Sequence, residues 1–160
     1  MSAFTPANPD FEARVRDSFR RQAFMATIGA ELPVVAPGQV ALSLPHRPDL
    51  TQQHGFFHGG VVATIADNAA GYAAFSLMPA DSSILTVEFK LNLLSPAEGD
   101  RLVAEAEVLK PGRSLTVCRS DVYGERAGSR KLIATALVTL MALPGRSDHA
   151  SRPKASASRA

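Results

Sequence analysis

The spacing of apolar positions changes period several times along the chain, and each change marks an element. Val40, Leu42 and Leu44 alternate with Ala41 and Ser43, which predicts a strand over residues 39–44. Residues 30–35 predict a second strand, set off from the first by the turn dipeptide Pro37-Gly38. Upstream, Phe11, Val15 and Phe19 recur every fourth residue and form one stripe of a helix. Asn8-Pro9-Asp10 gives that helix its start: Asn as cap, Pro at the first helical position, an acid in the first turn. The helix is expected to fade near Ile28-Gly29.

From His58 to about Leu77 the pattern is neither alternating nor one-sided. Val61, Val62, Ile65, Ala66, Ala69, Ala70, Ala73 and Ala74 cover most of a helix's circumference. A helix of that kind is buried on more than one side. Four strand-like runs follow, at residues 84–93, 101–110, 114–123 and 132–143, broken at Pro96 to Gly99, Pro111-Gly112 and Gly124 to Gly128. Such short connections predict antiparallel strands. The layout is therefore α+β: an antiparallel sheet of about six strands wrapped around one long central helix, plus an N-terminal helix. Residues 45–57 form a long loop before that helix, and loops of this length in compact domains are usually functional.

The length of 160 residues suits one domain with a sizeable core. The expected division is an unstructured start at residues 1–8, a domain at 9–143 and a basic tail at 144–160. That tail carries Arg146, Arg152, Lys154 and Arg159 against Asp148, a net of +3, while the whole chain is only +2. The folded part is thus slightly acidic, which argues against a nucleic-acid partner, as do two Tyr and no Trp. No apolar run predicts a membrane span, and the start carries no signal-peptide pattern. The single cysteine, Cys118, falls in a strand and reads as a small core residue. The expected location is the cytoplasm.

The central helix holds one charged residue, Asp67. A mid-helix aspartate has poor propensity, and a buried carboxylate is costly without partners. It is either a structural group serving the neighbourhood of Tyr72 or a carboxylate placed in a dry pocket as base or nucleophile. His58-Gly59-Gly60 opens the same helix, where free N–H groups suit developing negative charge. Asp67 lies about 10 Å further along, too far to serve that terminus from within one chain. His54 and His58 have metal-pair spacing, but no third ligand is evident, so no metal is expected.

The run His58-Gly59-Gly60-Val61-Val62-Ala63-Thr64-Ile65-Ala66-Asp67-Asn68 resembles the motif of PaaI-like (phenylacetyl-CoA thioesterase-like) hotdog-fold thioesterases. The likeness extends through Thr86-Val87-Glu88-Phe89, Leu94-Ser95-Pro96-Ala97 and Lys110-Pro111-Gly112-Arg113. The resemblance implies hydrolysis of acyl-CoA to a free acid and CoA, without metal or organic cofactor. It implies that Asp67 activates water or attacks directly, that the Gly59 N–H polarises the carbonyl, and that Thr86 orients the nucleophile. It sets Lys110, Pro111, Gly112, Arg113 and Ser114 against CoA. His58, Gly60 and Asn68 fall at substrate-binding positions. Where the family often carries Asn, this sequence has Gln52, which the resemblance places among the catalytic residues with the same amide one methylene further out. The resemblance further implies homodimers or homotetramers with active sites at the subunit interface. The alternatives are a non-catalytic acyl-CoA-binding module or a hotdog hydratase or dehydratase. Phe56, Phe57, Phe75 and Leu77 are candidates for an acyl tunnel or for core.

Overall fold

The computed structural model describes residues 4–146 and residue 148. Ten elements follow one another: α1 (Phe11–Arg21), α2 (Ala23–Ile28), β1 (Glu31–Ala36), β2 (Gln39–Pro45), a short 3-10 turn (Pro48–Leu50), α3 (Gly59–Phe75), β3 (Ser82–Leu93), β4 (Arg101–Lys110), β5 (Leu115–Arg126) and β6 (Ser129–Pro144). The six strands form one sheet in the order β1-β2-β4-β5-β6-β3, with every neighbouring pair antiparallel. This is the hotdog layout. The chain leaves β3 at one edge and crosses over to β4 in the middle.

Alternation sets the sheet's inner face. Leu102, Ala104, Ala106 and Val108 of β4 are buried, as are Thr116, Cys118, Ser120 and Val122 of β5 and Ala134, Ala136, Val138 and Leu140 of β6. They close on Val62, Ile65, Ala66, Ala69, Ala70 and Ala73 of α3. The small side chains let the helix lie close to the sheet. One stripe of α3 is less covered: Gly60, Ala63, Thr64, Asp67, Asn68 and Gly71 are not fully buried. The helix expected to be enclosed nearly all round therefore keeps a partly open, polar side.

The N-terminal helix divides at Gln22, whose backbone is extended and whose N–H returns to the Phe19 carbonyl at 3.1 Å. The apolar stripe gave no sign of this break. The expected end at Gly29 coincides with a left-handed glycine, φ 76°. Asn8 Oδ1 accepts from the Asp10 N–H at 3.1 Å, so it folds the entry turn. Residues 4–8, expected to precede the domain, touch it: Asn8 is buried and the Ala7 N–H donates to Leu77 O at 3.2 Å. The basic tail, apart from Arg146 and Asp148, lies outside the described residues.

Arg14 fastens α1 across the end of α3. Its guanidinium donates to the Pro79 carbonyl at 2.7 Å and to that of Ser82, and lies 3.9 Å from the centre of the Phe75 ring. Gly124, expected to belong to a turn, lies inside β5. A Cβ there would come within 2.0 Å of the Glu98 carbonyl oxygen, so the glycine serves close passage of two backbones. The β5–β6 turn is instead Ala127-Gly128, with φ 47° and 82°.

Candidate active site

His58 caps α3. Its Nδ1 accepts from the Gly60 N–H at 2.9 Å, and its carbonyl takes the Val61 N–H. That leaves the Gly59 N–H at the first helical position with no acceptor among the described residues. Helix starts leave such donors by geometry, and the cap uses only one of them. The helix start put Gly59 and Gly60 forward together and the resemblance singled out the Gly59 N–H; the cap occupies the Gly60 N–H and leaves that of Gly59. His58 itself faces solvent as a cap.

Asp67 lies eight residues beyond Gly59, about 12 Å along the helix axis. Thr86 Oγ1 of β3 donates to Asp67 Oδ1 at 2.8 Å, so the two residues paired by sequence meet in space. Burial pushes the Asp67 carboxyl above the ordinary aspartate range, and the Thr86 hydrogen bond offsets part of that rise. Val87, next to Thr86, is bulged out of the β3–β6 register. Bulges re-aim neighbouring side chains and recur beside active sites. The structural role tying Asp67 to Tyr72 is not realised, because the Tyr72 hydroxyl pairs with Ser18 Oγ at 3.2 Å.

Asp67 and Thr86 open onto a cleft of about 220 Å³ between α1, α3, β3 and β6. Asn68 lines it, and its Oδ1 is buried with no partner among the described residues. Gly71, Tyr72, Ser18 and Gln22 line it too. The contribution of α1 and of Gly71 was missed in the sequence. The one available signal was a glycine in the middle of an otherwise Ala-rich helix. Of the tunnel candidates, Phe57 and Phe75 are core, and none of the four borders this cleft.

The remaining candidates stand apart from Asp67. Gln52 turns its Oε1 onto the His54 N–H within its own loop, a tight hairpin closed by the Thr51–Phe57 bridge. Lys110, Pro111, Gly112, Arg113 and Ser114 are exposed in the β4–β5 turn. Leu115 pairs with Met141 and Leu85 with the same Met141, so that turn sits at the end of the sheet that carries Thr86. It is two strand spacings away, roughly 10 Å across the sheet. Gly112 is required there, since a Cβ would come within 2.3 Å of the Leu115 carbonyl oxygen. The Cys118 thiol is buried, and desolvation pushes it up to about 12, which leaves it inert.

An aspartate raised by desolvation, a hydroxyl aimed at it and an unpaired helix-terminal N–H are parts suited to adding water to a carbonyl. The sequence profile described as Thioesterase superfamily matches residues 54–129. A thioesterase family protein from Silicibacter pomeroyi is 54% identical, with a TM-score of 0.83 over 84% of this chain and 99% of that one. Acyl-coenzyme A thioesterase 13 of Homo sapiens is 32% identical over 100 residues, 62% of this chain and 69% of the relative. The PaaI protein of the E. coli phenylacetic acid degradation operon shares the fold, with a TM-score of 0.75 at 18% identity over 88% of this chain and 98% of that one. The chain belongs to the thioesterase superfamily, and it is a thioester hydrolase of the hotdog fold.

Proposed function

We propose that the protein hydrolyses acyl-CoA thioesters at a site shared by two copies of the chain, with Asp67 from one and the Gly59 N–H from the other. The observation that carries the reading is the separation of these two groups. A reacting carbonyl needs its oxygen about 3 Å from the donor and its carbon about 3–3.5 Å from the attacking atom. Two groups about 12 Å apart on one rigid helix cannot both be in place. A twofold axis supplies the missing half, because residue i of one chain then faces residue j of the other, twice.

The free edge of β3 favours such an axis. It exposes Leu85, Val87, Phe89 and Leu93, and Leu93 Cδ1 lies 3.4 Å from where a Cβ on Gly59 would be. Pairing this edge with a second β3 would cover the apolar row and bring the open stripes of two α3 helices to one seam. Homodimers, or tetramers built from them, follow from this reading.

In the proposed reaction Asp67 removes a proton from water as the water oxygen attacks the thioester carbonyl. The alternative for the same carboxylate is direct attack to give an anhydride, which water then opens. The Gly59 N–H takes the oxyanion, and Thr86 holds the carboxylate in line. Collapse breaks the C–S bond, and the CoA sulfur leaves with the proton held by Asp67. Lys110 to Ser114 receive the CoA end; Asn68 faces the acyl group, while His58, Gly60 and Gln52 shape the helix entrance. No described helix is long and apolar enough to cross a membrane, and we place the reaction in the cytoplasm.

Subunit complementation tests the sharing. Asp67→Asn removes the carboxylate; Gly59→Pro removes the N–H at a first helical position, where proline's fixed φ suits the helix. Each variant alone should be inactive. A random equal mixture after subunit exchange should regain about a quarter of wild-type activity, because half the dimers are mixed and each holds one intact site of two. No recovery, with exchange verified by mass spectrometry and both variants folded, would exclude the shared site.

A further inference from the structure

The cleft beside Asp67 has a far wall that no part of the hydrolytic chemistry uses. Tyr72 forms it. Its ring is 4% exposed and stands edge-on to Phe19, with centroids 5.9 Å apart, and to Phe75 at 6.3 Å. Its hydroxyl is held by Ser18 of α1 at 3.2 Å. Aromatic packing on two sides and a hydrogen bond at the tip leave this side chain no alternative rotamer without breaking contacts. Near its hydroxyl lies an ion pair, Arg21 to Asp148 at 2.7 Å, with Asp148 itself on the cleft. An alkyl chain pushed past Tyr72 would have to desolvate that pair.

The near wall carries the opposite device. Gly71 follows Asp67 by one helical turn, so both lie on one side of α3 and both line the cleft. Glycine weakens a helix interior, and neither usual reason for it applies here. Its φ is not positive, and an added Cβ would meet only Leu140 Cδ2, at 3.7 Å, an ordinary contact. What the missing side chain leaves is space next to the carboxylate.

We infer that Tyr72 and Gly71 set the size of the acyl group: Gly71 gives width beside Asp67, and Tyr72, braced by Ser18, stops the chain at its far end. The inference rests on the thioesterase reading of the same site. The cleft, about 220 Å³ in one chain, favours a small acyl group, a short aliphatic chain or one ring. Long-chain acyl groups would have to pass Tyr72 and are disfavoured on this reading.

The test is a series of acyl-CoAs from butanoyl to palmitoyl, with kcat/KM measured for wild type and two kinds of variant. Wild type should lose at least about tenfold between hexanoyl-CoA and palmitoyl-CoA. One methylene in an apolar pocket is worth about 10- to 200-fold. Gly71→Ala and Gly71→Val should lower the hexanoyl-to-butanoyl ratio, the valine by about tenfold. Tyr72→Leu should raise the dodecanoyl-to-butanoyl ratio by about tenfold. Gly71→Ala keeps the test open if Tyr72→Leu fails to fold, since the structure has room for its methyl. Palmitoyl-CoA cleaved as well as hexanoyl-CoA by wild type, or ratios unmoved in the folded Gly71 variants, would overturn the size selection and leave the hydrolase reading standing. No turnover of any acyl-CoA by wild type would overturn both.

Discussion

The two free edges of the sheet are built to opposite ends. β1 is six residues long and blunted at each point where a partner strand would dock. Pro33 has no N–H to offer, Arg16 of α1 takes the Leu32 carbonyl at 2.9 Å, and the register with β2 is broken between Glu31 and Val34. These are the devices by which proteins end a sheet. β3 is twelve residues long, and Leu85, Val87, Phe89 and Leu93 are each at least 43% exposed. Among the described residues, no further strand pairs with that edge. Asp67 and Thr86 sit beside β3, while nothing of the candidate chemistry sits beside β1. One edge is finished within the chain; the other is left open at the place where the reaction is proposed.

The sharpest way to break that contrast is at the carboxylate. Asp67→Asn should lower kcat by at least about 100-fold, because an amide cannot act as base or nucleophile. It should also raise the melting temperature at neutral pH. The sign follows from the raised carboxyl in the folded chain. Such a group favours folding when protonated. Its contribution is fully present below the unfolded aspartate's pKa and is lost as pH rises through the higher folded value. The gain from Asn should therefore appear at neutral pH and vanish in acid, below the ordinary aspartate range. The acid limb of kcat/KM should lie above that range as well. Retention of more than a tenth of kcat, or a melting difference that is the same at both pH values, would count against Asp67 as a desolvated base.

Most of the frame could be read in the sequence, and the reasons are local. Apolar alternation placed β2 to within a residue, because Val40, Leu42 and Leu44 face the core, although Ala41 and Ser43 between them are covered as well. The lone acid of α3 drew attention to Asp67 because its neighbours are alanine, isoleucine and valine. What escaped depends on groups brought together from far apart. The cleft joins Ser18, Asp67, Thr86 and Leu140 from four elements, and no periodicity links them. The resemblance had singled out the Gly59 donor, but the cap that occupies Gly60 depends on His58 Nδ1 turning back, which no spacing marks. The helix break at Gln22 rests on one extended residue, which the apolar stripe of α1 does not mark. The place of β3 beside β6 rests on pairings some fifty residues apart, such as Phe89 with Val138.

A direct comparison of the edges needs one substitution on each. Phe89 is 43% exposed on β3 and Val34 is 49% exposed on β1, so a general effect of surface charge should be alike at both. Phe89→Glu should give a monomer at micromolar concentration in sedimentation and lower kcat/KM by about tenfold or more, since a charge on the proposed seam would be desolvated or repelled. Val34→Lys should change neither mass nor rate appreciably. Equal behaviour of the two variants would mean that the edges are not functionally distinct. A Phe89→Glu monomer with full activity would separate assembly from catalysis and remove the need for a second chain.

The smallest effect is expected away from both edges, at the β5–β6 turn. Ala127 is the only non-glycine residue with positive φ among the described residues, at 47°, and Gly128 follows at 82°. Two successive positive φ values make the turn of a tight hairpin, for which Asn-Gly is the preferred pair. Alanine has no side-chain polar group to offset the clash of its Cβ with the following carbonyl, which costs roughly 1–2 kcal/mol in this region. Asparagine tolerates the conformation better, so Ala127→Asn should recover part of that cost, about 1 kcal/mol at most. For a domain of this size the melting temperature would rise by about 2–4 °C. The turn joins β5 to β6, and β6 pairs with β3, the strand of Asp67's partner Thr86, yet the turn touches neither the cleft nor β3. Kinetic constants and oligomeric mass should therefore stay at wild-type values. A change in kcat/KM without a change in melting temperature would show that the far end of the β5–β6 hairpin is coupled to the site, and the contrast between the edges would then no longer be enough to explain where activity resides.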